Sequence, residues 1–402
     1  MTADLMFASA LGAQQPDAIE HTYTYLFCDL LTDTLIAELP LTDVSYGTIL
    51  NGIGTLRGHV PYADETLPLD PEAATVPGRT AVYVDRDGVI VWAGILWTRT
   101  PSLSGPGRDI QCAEFLSYYQ RRYIKETLST DAAKVTDTDL MPNGQRLYTE
   151  QMWLVWSLLV YAHNQPSGNS GISTHLLTGT PTGISRTATY PGHERHEIYK
   201  AISDLAQAED GFDFGVEVGW TSAANNQPPR RYKRHRIWYP RRGRTAANSG
   251  LVFAHGGTAS SIVDYNWPEN ATELATETSG IGEGDGEDTL QATAQATDLL
   301  NSGWPLLESV TRWDGVTQQA QLQALTNGDV TAKSRAMVQP RFTVEADADP
   351  AFGSYQVGDE ALFVIEDSHR MPGGREQVLR IVTIDAIPSR GPERVTLTCT
   401  AV

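Results

Sequence analysis

The chain has 402 residues, 41% of them hydrophobic and 20% charged, with a formal net charge of −19. That length holds about two to four domains with cores of their own, and the composition excludes a wholly disordered chain. The acid excess argues against a protein whose main work is gripping nucleic acid or an anionic membrane.

Residues 1–20, with Ala, Gln, Gly and Pro but no sheet periodicity, read as a loose N-terminal arm. From Tyr23 to Cys112 the chain is a ladder of short runs rich in Val, Ile, Tyr and Trp: Tyr23–Leu30, Leu35–Leu39, Thr55–Val60, Thr80–Asp85, Gly88–Trp97 and Arg108–Cys112. Such runs, separated by turn residues at intervals of about 8 to 12 residues, predict an antiparallel sandwich or barrel over 21–113. Asp85-Arg-Asp-Gly88 supplies the turn chemistry of a hairpin between two apolar strands. At Ala113 the pattern changes. Phe115, Leu116, Tyr119, Tyr123, Ile124 and Leu128 predict an amphipathic helix over 113–128. Thr149 opens a second helix over 150–164 that is apolar nearly all round, and a third, over 194–209, ends before Gly211 as its cap. With the Gly, Ser, Thr and Pro-rich loop over 166–192 these make a helical domain, 114–210.

An α+β domain is expected over 211–340. Its strands are Phe212–Val218, Arg236–Pro240, Leu251–Phe253 and Ile262–Tyr265, followed by an acidic glycine loop at 280–286 and helices over 288–301 and 317–326. Arg341–Glu345 returns the chain to sheet and to a second barrel, 341–402, completed by strands from 211–265. Part of the first barrel recurs here. Val91–Cys112 can be laid on Val378–Cys399, with Pro101-Ser102 over Pro388-Ser389 and Cys112 over Cys399, and Ala81–Asp85 has a counterpart in Ala361–Glu366. The expected fold class is mainly β with α+β insertions: two related antiparallel β-barrels of tube type, a helical domain and a smaller α+β domain.

Little in the sequence points to chemistry. His193-Glu-Arg-His196 spaces its histidines by three where a zinc-protease helix needs four, and reads as a polar helix start. Gly280–Gly286 has no apolar strand before it and no Lys after it, while Glu283, Asp285 and Glu287 would repel phosphate. It also lacks the regular acidic alternation of a calcium loop. There is no Gly-x-Ser-x-Gly, and the many carboxylates give no positive sign of a glycosidase dyad. No catalytic residue, cofactor or metal site is expected. Cys28, Cys112 and Cys399 lie in strand-like runs without metal spacing, which predicts buried thiols and synthesis in a reducing compartment. No signal peptide opens the chain, and its longest apolar run, Met152–Ala162, is far too short to span a membrane.

One charge feature stands out. Arg230-Arg-Tyr-Lys-Arg-His-Arg236 and Arg241-Arg-Gly-Arg244 place eight of the chain's 30 Lys and Arg within 15 residues. One reading is a docking patch, made of Arg230, Arg231, Lys233, Arg234, Arg236, Arg241 and Arg242, for an acidic protein rather than DNA. The other is a hairpin whose arginines pair with acids elsewhere in the chain.

Tyr23–Thr32, Glu38–Thr42, Val89–Trp97, Gly211–Phe214, Tyr265–Trp267 and Gly353–Glu360, in this order over nearly the whole chain, resemble a minor tail protein of long-tailed phages of actinobacteria, of the kind related to the central baseplate hub. The resemblance implies a homotrimer at the tail tip, in which two barrels per subunit form a six-fold-like ring continuing the tail tube. Its implied partners are the distal tail ring protein, the tape measure protein, and other minor tail proteins or a central fibre. DNA would pass through the lumen without specific binding. The implied location is the virion, with assembly in the host cytoplasm. Some relatives carry a peptidoglycan-cleaving domain after the hub region; this chain ends at Val402 just past its last strand, so that activity is not carried over. Two other classes stay open: a receptor- or carbohydrate-binding tail module, marked by exposed aromatic platforms, and a cell-wall hydrolase, marked by a cleft with convergent acids.

Overall fold

A tight hairpin forms where the sequence sets Asp87 and Gly88 between two apolar runs. Both take positive φ, 52° and 84°, as a two-residue hairpin turn requires, and the Gly88 N–H donates to Asp85 Oδ1 (2.7 Å). In the computed structural model this hairpin belongs to a 13-stranded sheet. The structure describes residues 21–62, 71–101, 106–131, 147–174, 181–222, 228–257, 260–335, 339–367, 369–388 and 392–402. The arm expected over 1–20 lies outside the described residues.

The first barrel comprises β1 (Tyr23–Asp29), β2 (Leu35–Glu38), β3 (Thr42–Ile49), β4 (Thr55–Pro61), the short α1 (Pro71–Ala74), β5 (Thr80–Arg86), β6 (Val89–Pro101) and β7 (Gly107–Glu114). Next come β8 (Leu128–Ser129), α2 (Gln151–Asn164), β9 (Thr189–Tyr190), α3 (Ile198–Gln207) and a hairpin of β10 (Asp213–Trp220) with β11 (Arg231–Trp238). After α4 (Ala246–Ser249), β12 (Val252–His255) and β13 (Ile262–Asn266) enter the second barrel. An insertion of β14 (Glu277–Ile281), β15 (Gln291–Gln295), α5 (Thr297–Asn301), β16 (Glu308–Arg312) and α6 (Gln319–Lys333) follows. The second barrel then resumes with β17 (Arg341–Glu345), β18 (Glu360–Ile365), β19 (Arg375–Ile387) and β20 (Arg394–Ala401).

The two barrels follow one plan. The sheet order β3-β4-β7-β6-β5-β1 is matched by β13-β17-β20-β19-β18-β12, and the chain visits both sets in the same sequence. One difference is that β12 runs parallel to β18, whereas β1 is antiparallel to β5. Small features recur too. Leu96 faces Cys112 and a bulge follows at Trp97; Ile381 faces Cys399 and a bulge follows at Val382. The Leu96 carbonyl accepts from the N–H of Gly78, and the Ile381 carbonyl from that of Gly358 (2.7 and 2.8 Å). Cys112 and Cys399 therefore correspond as the sequence alignment has them. The preceding strand slips by two, Leu96 matching Ile381 and not Thr383, because the hairpin after β19 is longer. Val82, not Ala81, matches Ala361, since each faces the residue two before its β-bulge partner's strand position and points into the barrel core. A one-residue slip would have turned that strand inside out.

One hydrophobic cluster fills both barrels, from Phe27, Val82 and Trp92 to Phe253, Phe363 and Leu397. The alternate residues Leu26, Cys28, Tyr83 and Ile95 join a second cluster with α2, α3, β10 and β11. β1, β5 and the first half of β6 are thus apolar on both faces, which is why they read as unbroken apolar runs. The order β15-β14-β16, backed by α6, makes a small α+β unit with its own core around Leu322, Leu325 and Trp313.

Several elements differ from expectation. Residues 113–128 form no α-helix: a 3-10 helix spans Phe115–Arg121, and the chain then runs extended, with Ile124 N–H donating to the His196 carbonyl (2.9 Å) and β8 pairing with β9. Aromatic and β-branched residues are poor helix formers, and burial of the same apolar stripe in the second cluster decides the outcome. Glu150, not Thr149, caps α2 by accepting the Trp153 N–H (3.1 Å). Over 288–301, the helix shrinks to α5 because β15 pairs with β14 along five residues. α3 is shorter than expected and left-handed Asp210 precedes Gly211, while α6 runs on to Lys333. The strand β3 was not foreseen.

Candidate functional site

One edge of β19 pairs with two strands in succession. Arg375–Ile365 and its neighbours tie its first half to β18, and Thr383–Ala386 pairs antiparallel with β3. The seam between β3 and β19 joins the barrels into an unbroken run of eight strands, β13-β17-β20-β19-β3-β4-β7-β6. Gly47 suits the seam because a Cβ there would lie 2.1 Å from Asp385 Oδ1.

Alternation gives this run two unlike faces. Leu56, Ile110, Phe342, Ile384 and Leu397 point into the shared core. On the other face Asp264, Thr343, Thr396 and Asp385 stand in one row, and Ser45, Arg57, Gln111 and Thr98 in another. Across the run this face carries Arg57, Arg341 and Arg394 against Asp43, Asp109, Asp264, Glu345 and Asp385, among threonines. It is polar with a small excess of acid. His59 lies on it, 2.8 Å from Asp109.

Ion pairs lock the barrels together beside this sheet. Glu393, 3% exposed, accepts two hydrogen bonds from Arg86 (3.0 and 2.7 Å) and one from the Tyr23 hydroxyl. His21 bridges Asp87 and Asp347 (2.6 and 2.7 Å).

The basic run is strand β11 and the turn after it. Arg231, flanked by Tyr83 and Trp220, pairs with Asp33 (3.2 Å) in the first barrel. Lys233 is buried and donates to the Leu30 carbonyl; burial holds its pKa below the ordinary range. Arg234 and Arg236 both pair with Glu217 on β10 (3.0 and 3.3 Å). Arg241 reaches Glu360 (2.9 Å) and Arg244 reaches Asp359 (2.6 Å), both in the second barrel. Arg242 lies over Trp238, and its side chain reaches Gln356 (3.3 Å). Arg230 is exposed at the strand's start. The run thus staples the hairpin to both barrels, with Arg230, Arg241 and Arg244 exposed.

A cavity of about 310 Å³ lies between the first barrel and β10, lined by Trp92, Glu114, Phe214, Glu217, Arg242 and Gln356 among others. Burial pushes the Glu114 carboxyl up to about 7, against hydrogen bonds from the Gly54 N–H (2.7 Å) and Thr48 hydroxyl (3.0 Å) and the Arg242 charge. Arg242 Nε has no hydrogen-bond partner among the described residues. An acid at the end of a strand was this site's only signal in the sequence.

The other sequence candidates do not converge. His196 pairs with Glu194 (2.5 Å) while His193 is exposed, and the described residues hold no group of three or more potential metal ligands. The acidic glycine loop ends β14 and passes through a 3-10 turn at Gly286–Asp288. At the start of α2, Tyr148, Trp153 and Trp156 gather with ring centroids 5.8 to 6.2 Å apart, the first two 40% and 37% exposed. No described helix is long and apolar enough to cross a membrane.

No protein-family model and no curated protein matches the sequence. Solved structures do match. The chain is similar to the tail protein from Neisseria meningitidis MC58, with 8% identity, a TM-score of 0.54 and coverage of 95% of this chain and 97% of that one. It is similar to the 43 kDa tail protein of prophage MuSo2 from Shewanella oneidensis (12% identity, TM-score 0.56, coverage 94% and 98%). It is also similar to prophage tail protein gp18 from Listeria monocytogenes EGD-e (13%, 0.51, 93% and 94%). At these identities the likeness is one of fold, and it extends over nearly the full length of each chain.

Proposed function

We propose that this chain, which shares its fold with phage and prophage tail proteins, is a structural hub protein at the tail tip of a long-tailed phage of actinobacteria. Three copies form a ring that continues the tail tube and adapts its six-fold symmetry to a three-fold tip. The observation that carries this reading is the eight-strand run built from two like barrels. Three copies set six similar barrels around one axis, and closure covers the edges at the two ends of that run. The polar face, with its small excess of acid, would line the lumen and let DNA slide without a cationic surface to hold it. The ring would dock the distal tail ring protein and the tape measure protein above, and other minor tail proteins or a central fibre below. It would assemble in the host cytoplasm and act in the virion, without enzymatic activity. Mass measurement on purified tail tips tests it. Three copies per tip are expected; six copies, or three whose barrels lie at different heights along the axis, overturn it.

For docking through the basic hairpin, Arg230 and Arg241 are exposed positions from which it would be made. Changing both to Ser should weaken assembly into tails and leave retention of DNA on a gel unchanged. Salt-sensitive DNA binding lost in that variant would show the partner to be nucleic acid instead.

A second reading, a carbohydrate-binding tail module, is favoured by the exposed Tyr148 and Trp153, which gather with the half-buried Trp156. Binding of host cell-wall polysaccharide that Trp153→Ala reduces at least about tenfold would support it.

A further inference from the structure

We propose that a second copy of this chain adds β13 and the residues after it, Trp267–Asn270, to the open edge of β6, in the register by which β3 joins β19 within one chain. The proposal rests on the trimeric reading and names the contact that closes the ring.

Within the chain, Thr383 faces Ile49, Ile384 faces Thr48, Asp385 faces Gly47 and Ala386 faces Tyr46. Each strand of that seam has a counterpart without the matching neighbour. β6 corresponds to β19: both have 13 residues, and on one edge each is covered only part way, β6 by β5 as far as Ile95 and β19 by β18 as far as Arg380. Beyond that point β3 pairs with β19, whereas no described strand pairs with the same edge of β6. β13 corresponds to β3. It stands at the end of the eight-strand run and carries an irregularity between Ile262 and Asp264, as β3 does between Thr42 and Ser45. The chain keeps a β-bridge at Glu269.

The counterparts fix a register. Because Leu96 and Cys112 match Ile381 and Cys399, Thr98, Arg99, Thr100 and Pro101 take the places of Thr383, Ile384, Asp385 and Ala386. Arg57 and Arg341 match through Gln111 and Thr398, so Asn266 takes the place of Ser45. Trp267, Pro268, Glu269 and Asn270 then stand where Tyr46, Gly47, Thr48 and Ile49 stand. Across copies Thr98 faces Asn270, Arg99 faces Glu269, Thr100 faces Pro268 and Pro101 faces Trp267.

The chemistry of these residues fits the register. The Leu50 N–H donates to the Val382 carbonyl (2.9 Å), so alternation makes Ile384–Thr48 the next hydrogen-bonded pair and leaves Asp385–Gly47 unbonded. Pro268 falls at the Gly47 place, where no N–H is needed. Arg99 and Glu269 fall at a hydrogen-bonded pair with opposite charges facing. Pro101 has no N–H to give and ends the ladder. Thr98, Thr100, Pro101, Glu269 and Asn270 are exposed in the single chain. There Arg99 pairs with Glu72 (2.8 Å) and Glu269 with Arg375 (2.9 Å), so neither charge waits unpaired for the neighbour.

Cysteine cross-linking tests the contact in the full chain. Thr98 and Asn270 would form a non-hydrogen-bonded pair, where side chains approach closely enough for a disulfide, and the native cysteines are buried. Mild oxidation of the Thr98→Cys/Asn270→Cys variant at rising concentration, and in purified tail tips, should give linked species of up to three chains and none larger. The Arg99→Cys/Asn270→Cys control, out of register, should link at least about tenfold more slowly. Glu269→Pro, which removes an N–H assigned to the neighbour, should weaken association at least about tenfold with thermal melting unchanged. A three-copy mass without the disulfide, or with equal linking in the control, overturns this contact and leaves the ring standing. A copy number other than three in the tips overturns the ring itself.

Discussion

Glu114, half-buried, and His235, buried, pull stability in opposite directions with pH. Glu114, pushed up to about 7 by burial, holds its proton in the folded chain over a range where an unfolded glutamate has lost it. Its contribution is full below the ordinary pKa near 4.5 and is lost as pH rises to about 7, by at most about 3 kcal/mol. Glu114→Gln should therefore flatten the melting profile between pH 4.5 and 7 and raise the melting temperature at pH 8, as read by circular dichroism. His235 is the reverse case. Burial pushes its imidazole down to about 3, where it sits against the Tyr119 hydroxyl (2.8 Å), so its contribution is present above about 6.5 and is lost as pH falls. Steady destabilisation below pH 6.5 is expected, and a His235→Gln variant should lose less of its stability between pH 6.5 and 4 than the parent. Gly54 is a steric case: a Cβ there would lie 1.9 Å from the Gly47 carbonyl oxygen. Gly54→Ala should cost about 2 to 4 kcal/mol in urea unfolding, because backbone in β3 would have to shift.

At the scale of elements, the basic hairpin acts as a clamp. Arg231 is a nearly buried partner of Asp33, and losing it leaves that acid and the faces of Tyr83 and Trp220 without their cation. Arg231→Ala should destabilise the chain by about 2 to 4 kcal/mol, whereas Arg230→Ala, at an exposed position, should stay within about 0.5 kcal/mol. The pairing partners explain what the sequence could show here. A cationic run was plain, but Asp33, Glu360 and Asp359 lie far away in the chain, so a clamp and an open docking patch read alike. The strands β1, β5 and β6 were legible because they bury both faces over most of their length, and β7 because its burial alternates. β3 was not: Thr-Asp-Val-Ser-Tyr-Gly-Thr-Ile has weak alternation, Asp43 takes positive φ (52°), and Gly47 interrupts the run. Its order comes from strands on both sides, β4 and β19, which no local window contains. The helix expected over 113–128 failed for a related reason, since a buried stripe at mixed spacing fits a 3-10 helix and an extended run as well as an α-helix.

For the molecule as a whole, the merged core predicts merged unfolding. Phe27 and Val82 of one barrel share a cluster with Phe342 and Leu397 of the other, so the barrels should melt in one calorimetric transition. Residues 21–113 expressed alone should lack a cooperative transition, since β3 would lose β19 and the cluster half its members; a sharp melt of that fragment would show that the barrels are independent. The duplication was visible in the sequence through Cys112 and Cys399, whose places coincide in the two barrels, but its exact registration depended on bulges and a longer hairpin that leave no mark in residue types.

The seam between β3 and β19 also bears on how a ring of three would yield under load. Every second joint would lie inside one covalent chain, reinforced by Arg86–Glu393 and His21, and the alternate joints would lie between chains, where the ladder is short and ends at a proline. Such a ring is mechanically unequal around its circumference. Pushed outward by something passing through it, it would part at three places and spread as three stiff arcs, each of two barrels, rather than dilate evenly.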